Sequence, residues 1–325
     1  MNIQLSTTMN DATSPPRDRT ALVLGAAGFI GRHVCREMNA RGFTVHGVGH
    51  GGWTAEERSA FGVTRWHEAD ITLEALRVAS DGSSPDVVVH CGGSGTVAHS
   101  YREPTSDFDR SVGTTLAALE FAREQAAPPR FVLTSSAAVY GDQGEVDLEE
   151  GARLGPMSPY GYHKVMAEQL CESYSRFFNV RTRVIRLFSV YGEGLRKQLL
   201  WDAMNKFRRG ESSFFGTGDE MRDWIHVEDA ARLIGLAATS PETLHTVYNG
   251  GHVKARTRDV LGALARAAQA SSAPTFSGEI HPGNPRRLTG STSRARIELG
   301  FEGRIGLEAG LGRYADWFTT GTTHP

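Results

Sequence analysis

The chain has 325 residues, 39% hydrophobic and 22% charged, with 37 glycines. It is long enough for two domains of about 150 residues, and its composition excludes disordered, collagenous and membrane classes. Thirty-five basic residues against 37 acidic ones leave a formal charge of -2, so bulk charge offers no broad electropositive face to nucleic acid or anionic lipid. The basic total divides into 31 arginines and 4 lysines, Lys164, Lys197, Lys206 and Lys254. Cys35, Cys91 and Cys171 are far apart without CxxC pairing, which argues against a disulfide framework or a structural zinc site and predicts no metal. A reducing cytoplasm is the expected setting.

In chain order, Met1–Arg19 is polar, contains Pro15-Pro16 and lacks an apolar core. It reads as a mobile tail, neither signal peptide nor anchor. From Thr20 onward, short β-branched runs alternate with helical stretches: Ala21–Leu24, Phe29–Arg41, Thr44–Val48, Val63–Trp66, Asp86–Cys91, Thr105–Ala126, Arg130–Ser135 and Pro159–Phe178. Uninterrupted apolar strands such as Val87-Val88-Val89 suit a parallel sheet covered on both faces. The predicted fold is therefore α/β, a Rossmann-type doubly wound sheet with a smaller, discontinuous substrate lid. The first domain takes residues 20–187 plus 224–248, the segment from Trp224 carrying a strand and helix back to the sheet. The second takes 188–223 plus 249–325.

The first strand runs directly into Gly25-Ala26-Ala27-Gly28-Phe29-Ile30-Gly31, at the opening of a helix. Glycines at this spacing allow a tight turn, close approach of a pyrophosphate and close helix–sheet packing, with the helix dipole facing the phosphates. NAD selectivity usually adds an acid about 20 residues on. Here Val45–Gly51 contains none, which admits NADP, with Arg32 or His50 as contacts for a 2′-phosphate. Alternatively, Arg32 is a solvated helix residue. Asp70, followed by Ile71, either contacts the adenine or caps the next helix.

Ser158-Pro159 is a helix start, placing Tyr160 and Lys164 one turn apart on one face. An ammonium beside a phenol favours its ionisation and suits proton exchange with a sugar hydroxyl. Ser136 ends the strand from Arg130, where ligands sit in open α/β sheets, and can hydrogen-bond the same substrate oxygen. Ser135 reads better as a cap.

Together with Arg186-Leu187-Phe188-Ser189-Val190-Tyr191-Gly192 and Arg222-Asp223-Trp224-Ile225-His226-Val227-Glu228-Asp229, these motifs occur in a telling order. From Thr20 to Phe318 the chain resembles the extended short-chain dehydrogenases acting on nucleotide-sugars, the group of epimerases, dehydratases and reductases that includes UDP-glucose 4-epimerase. The resemblance implies a Ser136, Tyr160, Lys164 catalytic set, with Arg222 on the substrate diphosphate and Ser189 near the substrate. It also implies a homodimer built on helices Thr105–Ala126 and Pro159–Phe178. Departures are informative. Family dehydratases carry Asp-Glu where this chain has Ala137-Ala138, which argues against 4,6-dehydration. Family asparagines fall at Ser111 and Ser189, and a late arginine falls at His281. Arg286 and Arg287, behind Asn284-Pro285, are candidates to replace that diphosphate ligand.

Three functions follow as expectations. The first is C4 epimerisation of a nucleoside-diphosphate hexose with NAD turning over in place. The alternative is NADPH-dependent reduction of a 4-keto-6-deoxysugar. The third is a dinucleotide sensor without chemistry, disfavoured because a sensor needs neither Tyr160 nor Lys164.

Overall fold

The computed structural model describes residues 19–280 and 285–321. Most of the expected N-terminal tail, as well as His281 and Asn284, lies outside the described residues. Arg19, at the described edge, donates to the Arg41 carbonyl and stacks over Phe43.

The first half runs β1 (Thr20–Leu24), α1 (Phe29–Ala40), β2 (Thr44–Gly49), α2 (Ala55–Ala60), β3 (Val63–Glu68), α3 (Leu73–Ser80) and β4 (Val87–His90). Next come α4 (Val97–Arg102), α5 (Pro104–Phe108), a π turn over Asp109–Gly113, α6 (Thr114–Glu124), β5 (Arg130–Ser136), β6 (Asp147–Leu148) and α7 (Pro159–Phe178). The second half contains β7 (Thr182–Leu187), β8 (Ser189–Tyr191), α8 (Gln198–Arg208), β9 (Ser213–Phe214), β10 (Met221–His226), α9 (Val227–Thr239) and β11 (Val247–Gly250). The chain then passes through β12 (Val253–Arg256), α10 (Thr257–Ala267), β13 (Thr275–Phe276), β14 (Arg287–Gly290), α11 (Ser293–Leu299) and α12 (Leu307–Thr320).

Seven parallel strands form the large sheet in the order β11-β7-β5-β4-β1-β2-β3. The chain builds outward from β1 to β3, then returns to place β4 on the other side of β1. That reversal opens a crevice at the carboxyl ends of β1 and β4, the usual ligand site of such sheets. Residues of β1 alternate between two cores: Ala21 and Val23 pack with α1, α9 and α11, and Leu22 and Leu24 pack with α3, α6 and α7. Burial on both faces explains the continuous apolar strands.

A smaller sheet has the order β12-β10-β14-β6, with β8 on β10. The strand expected to return from Trp224 to the large sheet is therefore corrected. Its partners are Ser189–Tyr191, Val253–Arg256 and Arg287–Leu288, and only α9 behind it packs against α1 of the large sheet. The long helix expected from Thr105 is also not uniform. Thr114 and Thr115 turn their hydroxyls back onto the carbonyls of Arg110 and Ser111 at 2.6 Å, and such back-bonding loosens the helical ladder beside the π turn. Ser158 accepts from the Gly161 amide at 3.1 Å and caps α7, with Pro159 in its first turn and Asn179 ending it at φ 57°.

Candidate active site

A cavity of about 660 Å³ lies over the carboxyl ends of the central strands, between the two sheets. One wall is the glycine-rich turn. Gly25 has φ +75°, and a Cβ on Gly31 would stand 2.1 Å from the Gly25 oxygen, so the entry of α1 fits against the turn only without a side chain there. A Cβ on Gly25 would likewise meet the Gly92 amide at 2.8 Å, which keeps the turns after β1 and β4 in contact. Gly28, Phe29, Ile30 and Gly31 line the cavity, opposite Gly92, Gly93 and Gly95. Among the described residues the buried Ser111 Oγ has no hydrogen-bond partner, and it lies 3.9 Å from the Cβ position of Gly93. A cradle of bare main chain at a helix N-terminus, with an unsatisfied hydroxyl behind it, fits a dinucleotide.

The structure brings Ser136, Tyr160 and Lys164 to this same cavity. Ser136 ends β5, and its Oγ accepts from the Ala138 amide at 3.2 Å. Lys164 is 5% exposed, its Nζ donating to the Thr134 carbonyl at 3.0 Å and lying 5.9 Å from the centre of the Tyr160 ring. Burial pushes the Tyr160 phenol above its ordinary value; the hydrogen bond with Ser136 pulls it down, and the charge of Asp107 raises it further. Burial, and not the neighbouring ammonium, thus dominates the shift of the phenol. Burial holds the Lys164 ammonium below its ordinary value, with Asp107 acting against that shift. Ala137 and Ala138 also line the cavity.

Arg222, Glu220, Phe215 and Thr257 line the lid wall, together with Ser189 from β8. Burial lowers the Arg222 guanidinium below its ordinary value, and its Nη1 donates to the Met221 carbonyl at 2.7 Å. Arg287 does not join them. Strand alternation turns Leu288 into the cavity and Arg287 away, where it meets Asp147 at 2.7 Å and Thr289 at 3.0 Å. Arg286 is exposed, and its carbonyl accepts from the Met221 amide.

At the cofactor end, Arg32 is turned back onto the Ala27 carbonyl at 2.9 Å and lies near the rings of Trp53 and Phe61. Its buried Nε has no hydrogen-bond partner among the described residues. His50 and Asp70 meet each other at 2.7 Å in an exposed pair. Ile71 fills the space beside Gly92, with its Cδ1 2.6 Å from that residue's Cβ position. None of Arg32, His50, Asp70 and Ile71 lines the main cavity.

Sequence reasoning missed Lys197. Its side chain reaches the cavity, with Nζ 2.8 Å from the Cβ position of Gly95, and burial lowers the ammonium below its ordinary value. The available signal was rarity, since it is one of only 4 lysines. Cys35, Cys91 and Cys171 are unbridged. Among the described residues, no cluster suits a metal ion and no helix is long and apolar enough to cross a membrane.

The chain is similar to known proteins. A family model described as NAD dependent epimerase/dehydratase family matches residues 21–251. UDP-glucose 4-epimerase of Azospirillum brasilense is 30% identical, with 90% of this chain and 89% of that protein covered. The crystal structure of UDP-glucose 4-epimerase from Thermotoga maritima with UDP-glucose superposes with a TM-score of 0.84 at 25% identity, covering 93% of this chain and 99% of that one. The Thermus thermophilus UDP-glucose 4-epimerase complex with NAD gives a TM-score of 0.83 at 27% identity, covering 93% and 100%.

Proposed function

The chain belongs to the NAD dependent epimerase/dehydratase family, and we propose that within it this protein inverts C4 of a nucleoside-diphosphate hexose. One observation carries the reading: a single cavity holds Ser136, Tyr160 and Lys164 together with the glycine-rich turn and Arg222, and has alanine at positions 137 and 138. Gly25, Gly28 and Gly31 would present main chain to the dinucleotide pyrophosphate, and Lys164 would hold the nicotinamide ribose. When bound, the nicotinamide supplies the acceptor and donor for one hydride. Tyr160 Oη takes the proton of the C4 hydroxyl as that carbon becomes a ketone, then returns it. Ser136 donates to the same oxygen and stabilises its developing charge. Arg222 grips the diphosphate, and the ketosugar turns about this tether to present its other face.

In this reading the dinucleotide belongs to the large sheet, with residues 20–187 and α9 and β11, and the sugar nucleotide belongs to residues 188–226 and the segment after β11. The exposed Leu116, Tyr162, Met166 and Phe177 on α6 and α7 support a homodimer through those helices. Sedimentation at micromolar concentration tests this, and a monomer would reject it.

NADPH-dependent ketosugar reduction is the second reading, favoured by the absence of an acid in Val45–Gly51 and by the partnerless Nε of Arg32. Denaturing the purified protein and identifying the released dinucleotide separates the two. Retained NAD supports the epimerase; an empty site that fills preferentially with NADPH supports the reductase.

A further inference from the structure

Three of the four lysines have partners: Lys164 Nζ donates to the Thr134 carbonyl at 3.0 Å, Lys206 Nζ to the Ser213 carbonyl at 2.5 Å and Lys254 Nζ to the Asp147 carboxylate at 2.6 Å. Lys197 differs. Among the described residues its ammonium has no hydrogen-bond or ion-pair partner, and burial, with no acidic neighbour to oppose it, lowers the group below its ordinary value. The residue keeps accessible surface and lines the cavity, so a bound molecule can meet it. Its place is built. Gln198 Nε2 donates to the Gly95 carbonyl at 3.3 Å, and Gln198 holds φ 67°, an uncommon conformation for a residue with a side chain. Lys197 Nζ stands against the same glycine, 2.8 Å from its Cβ position, so a side chain at position 95 would crowd the ammonium. The turn carrying Gly95 is anchored in its own right. The Ser94 hydroxyl donates to the buried Asp107 carboxylate, whose other oxygen meets His163 Nδ1 on α7 at 2.5 Å. In the same turn Gly93 has its Cβ position 3.5 Å from Lys164 Nζ. Two residues of chain span at most about 7 Å, so one short turn meets the catalytic lysine at one glycine and Lys197 at the other. Lys197 accordingly serves the reacting end of the cavity, where the proposed chemistry puts the sugar, and Arg222 serves the lid wall with Glu220.

We propose that Lys197 selects a sugar that is itself acidic, a nucleoside-diphosphate hexuronate whose C6 carboxylate pairs with the ammonium. C6 is the one carbon of an aldohexopyranose outside the ring, so it can be a carboxylate while C1 keeps the diphosphate and C4 keeps the reacting hydroxyl. A neutral hexose would leave the ammonium facing only hydroxyls. An ammonium–carboxylate hydrogen bond is about twice as strong as one between neutral groups, and a site enclosed by protein screens it less than open water does. Among the described residues Glu220 is the only acid lining the cavity, and its carboxylate already accepts from the Thr217 amide and hydroxyl at 2.9 and 3.1 Å on the lid side. It leaves Lys197 free for the ligand. The flexible four-carbon stem of a lysine suits the role, because the carboxylate changes position as the ketosugar turns about its tether.

This inference rests on the C4-epimerase reading of the site, and its test reads binding instead of turnover. The dinucleotide-loaded protein is titrated calorimetrically with UDP, UDP-glucose and UDP-glucuronate, so that the preference is read with one nucleoside throughout. UDP-glucuronate should bind about tenfold or more tightly than UDP-glucose, the range of a hydrogen bond to a charged group. Lys197→Met should abolish that preference and leave UDP and UDP-glucose within about threefold of their original affinities, and Lys197→Arg should retain it. Equal affinity for the two sugars in the unaltered protein, or binding of neither, overturns the proposal. Equal weakening of all three ligands in Lys197→Met also overturns it, because the ammonium would then be reading the diphosphate. A glucuronate preference that depends on Lys197 in a protein that inverts no C4 centre would instead reject the epimerase reading, a result distinct from either.

Discussion

Lys164 Nζ donates to the main-chain oxygen of Thr134 at 3.0 Å, so the catalytic helix is fastened to the carboxyl end of β5, two residues before Ser136. The spacing of the phenol and the serine hydroxyl therefore leans on this fastening. Replacing Lys164 by Met should lower kcat by about 10²- to 10⁴-fold, as loss of acid–base machinery does. Tyr160→Phe should lower kcat over the same range while nucleotide-sugar affinity stays within about threefold. Initial rates and equilibrium binding on the same preparations check both; full activity in either variant contradicts the assignment.

Gly31→Ala tests the cradle. Its Cβ would stand 2.1 Å from the Gly25 oxygen and 2.8 Å from the Gly25 carbonyl carbon, and neither atom is a flexible side-chain end. The start of α1 must shift, at a cost of about 1–3 kcal/mol by analogy with overpacked cores. Denaturant melts should register the loss, and dinucleotide affinity should drop by about tenfold or more, since every 1.4 kcal/mol is a factor of ten.

Arg222→Ala should weaken binding of UDP-, GDP- and dTDP-sugars alike by about tenfold, because a guanidinium reads the shared diphosphate and not the base. Dinucleotide binding should be unchanged. Isothermal titration with each ligand distinguishes this outcome from general loosening, which would weaken both.

Glu193 gives a pH signature. Its carboxylate is 3% exposed and accepts from His226 at 2.9 Å and from Arg313 at 2.6 Å. Burial alone would raise its carboxyl, but the bond with His226, a backbone hydrogen bond and the Arg313 charge outweigh it and hold the group at about 2. A carboxyl depressed in the folded state stabilises fully above its ordinary value of 4.5, and that stability is lost as the pH falls through about 2. Glu193→Gln lacks this proton linkage. The stability difference between the protein and the variant, measured by urea melts, should therefore shrink steadily over this interval. A difference constant with pH would exclude the linkage.

The parts of the fold legible in the sequence were those written in local spacing. The alternation of apolar strands and helices, the glycine turn after β1, the cap at Ser158 and the one-turn separation of Tyr160 and Lys164 depend on near neighbours in the chain. What the sequence hid depends on facing and pairing. By sequence Arg287 is a candidate diphosphate ligand because it lies close behind His281, where the family's late arginine falls, yet the alternation of β14 gives that direction to Leu288. The strand at Trp224 sits in the small sheet because β8, β12 and β14 flank it, partners that no local pattern identifies. Asp107 and His163 are 56 residues apart, and each alone reads as an ordinary polar helix residue.

The central claim is a hydride removed from C4 and returned to it within one closed site. The most direct measurement supplies UDP-glucose and other nucleoside-diphosphate hexoses deuterated at C4, with no added dinucleotide, and follows the products by nuclear magnetic resonance. The account predicts a C4 epimer that keeps its deuterium at C4. Absence of C4 inversion with every sugar tested, or an epimer whose C4 deuterium has been exchanged for protium, would contradict it.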